Sequence, residues 1–457
     1  MRRREKSPLV RRSAAVALML LLAVLSAQAQ AQQLRLIRDA ETENIIRAYA
    51  TPLFQAAGLS PSAINVYLVR DSSLNAFVTP GLKMFIHTGL LMRAESPLEV
   101  IGVIAHETGH IAAGHTVTRQ DAARSAAIKA VASTILGFAA ALATGRGEIA
   151  SAAASGGQDI AIKGLLSYTR GQEAAADQFA VDLLNGTGQS PRGLLDFMRL
   201  IGGQEVLFGS QQDPYLRTHP VTAQRVTFLE DQVRRSPYAD KPADPHLVAL
   251  HDRMRAKLVG FLESPATTFQ RYPESDTSLA ARYARATAHF QAGDIEKSLA
   301  LLDALIAENP EDPYFRELRG QILLENGRVA DAVPDYEAAT KLLPDSGQLH
   351  LLAAHARLET NDPNQVDPAL KHLAVALREE SGNAFAWRLS AIAHGRRGDV
   401  GMTALSLAES AIARGDVKEA LDQAKRAQGI LSEGTPAWLR AQDLEELAQR
   451  RVDKENR

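Results

Sequence analysis

The sequence predicts a mainly α protein in two parts: a helical domain holding a small antiparallel sheet, then an α-solenoid of repeats. Three observations carry this. An apolar, capped helix beginning at Ser96-Pro97 contains the run H-E-T-G-H. Short extended runs lie together between residues 64 and 87, and from residue 278 turn signals recur every 34 residues.

The chain of 457 residues is long enough for two or three domains, and at 46% apolar and 23% charged it is globular in composition. Arg2, Arg3, Arg4, Lys6, Arg11 and Arg12 precede the apolar run Ala14–Leu25, and Ala29-Gln30-Ala31 fits a cleavage site. Residues 1–31 therefore read as a signal peptide, the run being short for a membrane span. Beyond it stand 45 basic against 52 acidic residues, a net charge of −7, which gives no basic footprint for nucleic acid. No cysteine is present, so disulfides and thiolate metal sites are excluded and any metal must rest on His and carboxylate. Export without cysteine suggests a bacterial periplasm.

Residues 34–57 have helical spacing at Leu34, Ile37, Ile45, Ile46 and Tyr49. Ile64–Val69 alternates as a strand does, and Asn75–Thr79 and Lys83–His87 are two further extended runs around Pro80-Gly81. An edge of such a sheet can pair with an extended peptide. The next helix opens with Ser96 as N-cap, Pro97 in the first helical position and Glu99 closing a capping box. It is apolar almost all round, which marks it as buried. His106 and His110, four apart, share one face, and Glu107 stands beside them. Burying these polar groups without partners would cost several kcal/mol each, and a metal ion pairs them all. The expected chemistry is that of a zinc hydrolase, with Glu107 taking a proton from water.

Ala122–Thr144 is Ala-rich and apolar but carries Lys129, Ser133 and Thr134. It reads as a helix over the cleft or at a membrane surface, before a Gly- and Ala-rich loop at 145–157. Tyr168–Leu184 is a helix with Glu173 and Asp177 on one face. A catalytic zinc takes three protein ligands, and Glu173 supplies the carboxylate that two histidines lack, with Asp177 as a supporting partner. His115 does not fit the H-E-x-x-H-x-x-G-x-x-H pattern and reads as structural or supporting.

H-E-T-G-H, then G-Q-E-A-A-A-D at 171–177, then T-H-P-V-T-A-Q-R-V at 218–226, together resemble the HtpX/CAAX-prenyl-endopeptidase family of zinc metallopeptidases over roughly residues 40–235. With the signal peptide and repeats, the chain is similar to the BepA branch, whose members are periplasmic and assist outer-membrane β-barrel assembly. The resemblance implies a gluzincin-type metallopeptidase domain with one zinc ion on His106, His110 and Glu173, and Glu107 as general base. It assigns Asp177 an active-site or proton-donor role, although its position suits an orienting one. His219 and Arg225 match the family's H-P-x-x-x-x-R element. His219 either hydrogen-bonds the oxyanion or occupies the open zinc position and keeps the enzyme latent, and Arg225 pairs with Asp177 or Glu173.

Residues 236–277 hold a linker or docking element around the helix Pro245–Leu262. Gly293-Asp294 and Asn326-Gly327, like Pro310 and Pro344, are one 34-residue tetratricopeptide period apart. A third repeat turns at Asn361-Asp362 with three extra residues before Ala369. Gly398-Asp399 and Gly415-Asp416 are half a period apart, so one helix is shared between two pairs. The expected domains are thus 1–31 signal peptide, 32–235 zinc metallopeptidase, 236–277 linker and 278–457 repeats. The expected activity is a periplasmic zinc endopeptidase acting on unfolded or stalled outer-membrane proteins, in contact with their assembly machinery through the repeats and peripherally with a membrane. A chaperone or assembly adaptor with a latent peptidase site is the alternative.

Overall fold

A computed structural model describes residues 34–115, 170–208 and 219–455. The signal peptide expected at 1–31, the stretch 122–144 and the loop expected at 145–157 fall outside the described residues. The chain begins with a short strand β1 (Leu36–Ile37) and then helix α1 (Ala40–Ala56), so the helical spacing at 34–37 belongs to a strand. Asp39 sets the boundary, its carboxylate accepting from the Glu41 N–H and capping α1.

Strands β2 (Asn65–Val69), β3 (Ala76–Thr79) and β4 (Lys83–His87) complete a four-stranded sheet in the order β1-β2-β4-β3. The expected sheet was antiparallel. It is mixed: β3 pairs antiparallel with β4, but β4 runs parallel to β2. Alternation predicts faces rather than neighbours, and β4, buried from Met84 to His87, takes the centre because its side chains need cover on both faces. Val66, Leu68, Met84 and Ile86 enter the core, while Tyr67, Phe85 and Phe77 stack across the other face at 5.1 and 4.9 Å.

After the short helix α2 (Thr88–Arg93) comes α3 (Pro97–Ala112), the helix with H-E-T-G-H. Ser96 Oγ accepts from the Leu98 N–H at 3.2 Å, and the Glu99 carboxylate reaches back to the Glu95 and Ser96 N–H groups. The helix is buried from Val100 to Ile111. Two glycines admit its neighbours. A Cβ on Gly102 would lie 2.6 Å from the backbone of Leu194 in α5 (Arg192–Phe208). One on Gly109 would lie 3.0 Å from the Ala176 carbonyl in α4, the helix over 170–186.

Helices α6 (Ala223–Arg235) and α7 (Pro245–Leu262) close this domain, with Met254, Leu258 and Val259 of α7 in the same core as Tyr49, Val103 and Phe197. On its other side α7 meets the repeats, and buried charges weld the contact. Lys257 Nζ, 2.8 Å from Asp39 and 3.2 Å from Glu41 of its own domain, lies 3.5 Å from Glu317 of the repeats, while Arg253 pairs with Glu41 and with Asp312 of the repeats.

Past α8 (Pro265–Arg271) the repeats stack as α9 (Leu279–Gln291) with α10 (Ile295–Glu308), α11 (Pro313–Glu325) with α12 (Val329–Leu342), and α13 (Gly347–Glu359) with α14 (Val366–Glu379). They continue through α15 (Ala384–Arg396), α16 (Val400–Arg414), α17 (Val417–Gln428) and α18 (Pro436–Glu455). The turns need left-handed backbone, supplied by Gly293, Gly327 and Gly398 at φ near +80°, and by Asn361 at +57° in the third repeat. The three extra residues of that repeat are the 3₁₀ turn Pro363–Gln365. Helix α16 packs on both α15 and α17. No helix among the described residues is long and apolar enough to cross a membrane.

Candidate metal centre

Helix α3 presents His106, Glu107 and His110 on the side where α4 crosses it, and all three are fully buried. Gly109 lets α4 approach until Glu173 reaches the histidines. The His106 Nε2 and His110 Nε2 atoms are 3.2 Å apart. Glu173 Oε2 is 3.3 Å from His106 Nε2, and its Oε1 is 3.3 Å from His110 Nε2. Zinc bonds of about 2.0–2.1 Å at tetrahedral angles put neighbouring donors about 3.3–3.4 Å apart. Three buried donors at that mutual spacing are the geometry of one metal ion. Neutral imidazole and carboxylate are also the donor set a cysteine-free chain has to offer.

The outer nitrogens of both rings are held as well. His106 Nδ1 lies 2.9 Å from Asp177 Oδ1, and His110 Nδ1 lies 3.0 Å from His115 Nδ1. Such contacts fix the tautomer that points Nε2 at a metal. The helix ends at Ala112, and Gly114 at φ +67° turns the chain so that His115 comes back against His110. Helical spacing alone would have pointed it about 140° away.

Asp177 is itself clamped. Arg225 Nε and Nη2 donate to its two oxygens at 2.7 and 2.8 Å, and Arg225 Nη1 donates to the Pro220 carbonyl at 2.9 Å. Nη1 also lies 3.1 Å from Glu173 Oε2, so the arginine serves both carboxylates that the sequence left as alternatives. Burial would raise Asp177, but Arg225 and His106 hold it below the ordinary carboxylate range. Burial would likewise raise Glu173, and the imidazoles of His219, His106 and His110 hold it well below. Burial lowers the basicity of His106, yet Asp177 and Glu173 keep it at about 9, whereas burial drives His110 well down.

The His-Pro turn before α6 brings His219 into the same group. His219 Nδ1 is 3.0 Å from Glu173 Oε2 and 3.4 Å from His106 Nε2, and its Nε2 is 3.5 Å from Glu107 Oε1. The four residues His106, His110, Glu173 and His219 form a group able to hold a metal. The structure thus brings together His106, Glu107, His110, Glu173, Asp177 and His219, with His115 and Arg225 beside them. What sequence reasoning missed is the Pro220 carbonyl as a third partner for Arg225, and the clearance given by Gly109. The only signal for either was the motif glycine and proline.

Fold and site together define a metallopeptidase domain carried on a helical-repeat solenoid. The comparisons agree with this: residues 36–233 match peptidase family M48 and residues 283–347 match a tetratricopeptide repeat. The chain therefore carries a peptidase family M48 domain followed by tetratricopeptide repeats. It is similar to the "Putative beta-barrel assembly-enhancing protease" of Vibrio cholerae, at 28% identity over 54% of this chain and 52% of that one. It is also similar to the "Beta-barrel assembly-enhancing protease" of Yersinia pestis, at 23% identity over 88% of this chain and 80% of that one. The protein of that name in Escherichia coli is 22% identical over 76% of this chain and 71% of its own length. The match thus spans about half the length of the Vibrio relative.

Proposed function

We propose that the chain is a zinc-dependent endopeptidase of the bacterial periplasm that cleaves unfolded or stalled polypeptides and assists outer-membrane protein assembly. The observation that carries the peptidase reading is the trio of His106, His110 and Glu173 donors spaced 3.2–3.3 Å apart beside Glu107. The periplasmic reading is supported by the residue pattern of positions 1–31, and the assembly role by the relatives' names. The domain limits 32–235, 236–277 and 278–457 remain our working division of the chain.

In this reading His106, His110 and Glu173 would hold the zinc ion. When bound, it supplies Lewis acidity towards water and towards the scissile carbonyl. Glu107 removes a proton as water attacks the peptide carbon and returns it to the departing amine, a general acid–base role. Asp177 orients His106 rather than donating a proton, because its oxygens are engaged by Arg225 and His106. Strand β3 packs beside α3 and pairs on one side with β4, which suits it to aligning an extended substrate by main-chain hydrogen bonds.

For His219 we favour the latch over the oxyanion donor. Its Nδ1 stands among the ligand atoms, at the distances of a fourth donor. A site closed by its own histidine is latent until substrate displaces it, which also accommodates an adaptor role at rest. The test is zinc content and cleavage of casein or an unfolded porin by the wild type, Glu107→Gln and His219→Ala. Glu107→Gln should keep zinc and lose proteolysis, and His219→Ala should cleave faster. A chain that binds no zinc in any form sinks the peptidase reading, and an inactive His219→Ala moves that histidine into catalysis.

A further inference from the structure

We infer that Arg225 is a positioning residue that sets how firmly His219 sits on the ligand group, by clasping the His219-Pro220 turn to the helix that bears Glu173 and Asp177. The inference rests on the latch reading of His219 given above.

One buried guanidinium touches both parts. Nε and Nη2 grip Asp177 through both oxygens, and Nη1 reaches the Pro220 carbonyl at 2.9 Å and Glu173 Oε2 at 3.1 Å. The carbonyl belongs to the residue directly after His219, so the backbone of His219 cannot withdraw far while that bond stands. Arg225 has little freedom to follow it. Its Nε and Nη2 are committed to Asp177, Asp177 is held against His106, and its own N–H donates to the N-cap Thr222 Oγ at 3.3 Å. The turn and the start of α6 are therefore pinned at both ends of a loop of a few residues. Withdrawing the turn that carries His219 must break the Pro220 bond or disturb Asp177 and, through it, His106.

The clasp has somewhere to open. A cavity of ≈190 Å³ lies against Glu173, Asp177, Pro220, Thr222 and Arg225, which leaves space beside the turn. The residue type also fits. Only the planar fork of arginine bonds two oxygens of one carboxylate and still turns a third N–H to a carbonyl, whereas lysine offers a single point charge. Losing one charge-assisted hydrogen bond to the turn corresponds to about tenfold in the latch equilibrium.

The experiment is a double-mutant cycle on the full chain between Arg225→Lys and His219→Ala. It reads the rate at which a chelator strips cobalt from the site, the cobalt absorption spectrum, and casein cleavage. Arg225→Lys alone should speed cobalt loss about tenfold and shift the spectrum in the direction that His219→Ala shifts it. Added to His219→Ala, it should change the rate by less than about twofold, since no latch is left to loosen. An equal acceleration in both backgrounds overturns the proposal and means that Arg225 acts on the ligands alone. If His219→Ala itself leaves all three readouts unchanged, the latch reading falls and the clasp with it. If His219→Ala responds and Arg225→Lys does not, only the clasp falls. Should Arg225→Lys fail to fold, Pro220→Gly keeps the carbonyl that Arg225 holds but frees the φ of the turn that presents it, and leaves both carboxylates their arginine. The same His219-dependent change is then expected, and its absence rejects the proposal.

Discussion

Gly109→Ala keeps every proposed ligand and the general base, yet it should weaken metal binding. An added Cβ would lie 3.0 Å from the Ala176 carbonyl, 3.2 Å from Ala176 Cα and 3.3 Å from Phe179 Cβ. Ordinary contact starts near 3.4 Å, so α4 must retreat by about 0.4 Å, and Glu173 and Asp177 travel with it. Overpacking of this size costs about 1–3 kcal/mol, and replacing a helical glycine by alanine returns up to about 1 kcal/mol. Net stability should therefore fall by about 0–3 kcal/mol. Metal affinity should fall by about tenfold, because the retreat uses most of the roughly 0.5 Å within which a ligand set keeps its geometry and also moves Asp177, and disturbed supports cost about 10–100-fold. Competition with a zinc-binding dye, beside a urea melt of the metal-free chain, separates the two effects. Gly102→Ala is the control: its Cβ would meet α5 backbone at 2.6 Å, away from α4, so it should cost more stability and less affinity per folded molecule. If Gly109→Ala binds zinc within twofold of wild type, the close approach is packing alone and this reasoning is wrong.

Asp177→Asn should lower zinc affinity about 10–100-fold, because His106 loses its charged support and Arg225 its bidentate partner; equal affinity in a dye competition would contradict this. Lys257→Met leaves Asp39, Glu41 and Glu317 facing one another with one cation fewer, so unfolding free energy should drop by about 3–5 kcal/mol in a denaturant titration, and a neutral result would mean that the cluster relaxes into solvent. In the repeats, the hydrogen bond from His372 and the Arg357 contact hold Glu337 at about 2 against the effect of burial. A folded value below the unfolded one gives stability that is present above about pH 4.5 and drains away as the pH falls towards 2. Urea midpoints at pH 5 and pH 3 should accordingly converge in Glu337→Gln, and an acid loss as large as that of wild type would refute the assignment.

Much of this protein is written locally. Ser96, Pro97 and Glu99 specify where α3 begins, and its apolar run specifies that it is buried. The four-residue spacings of His106 with His110 and of Glu173 with Asp177 each place two groups on one helix face. Glycines at a 34-residue period, with Asn361 in the same role, specify the repeat turns. These are consequences of backbone period, cap chemistry and left-handed φ, all of which act within a few residues.

Tertiary structure decided the rest, because it concerns groups far apart in the chain. Alternation could not choose the parallel pairing of β2 with β4, which follows from β4 being the strand that needs cover on both faces. His219 meets His106 across 113 residues, and Arg225 reaches Asp177, Glu173 and Pro220 at once only because Gly109 lets α4 lie close to α3. The ion cluster at the contact with the repeats joins Lys257 both to Asp39, across 218 residues, and to Glu317 of the repeats, a pairing of charges that no local pattern announces. The sequence by itself determined the elements and the chemistry each one carries. Which of those groups share one buried space was decided by how closely the helices can pack.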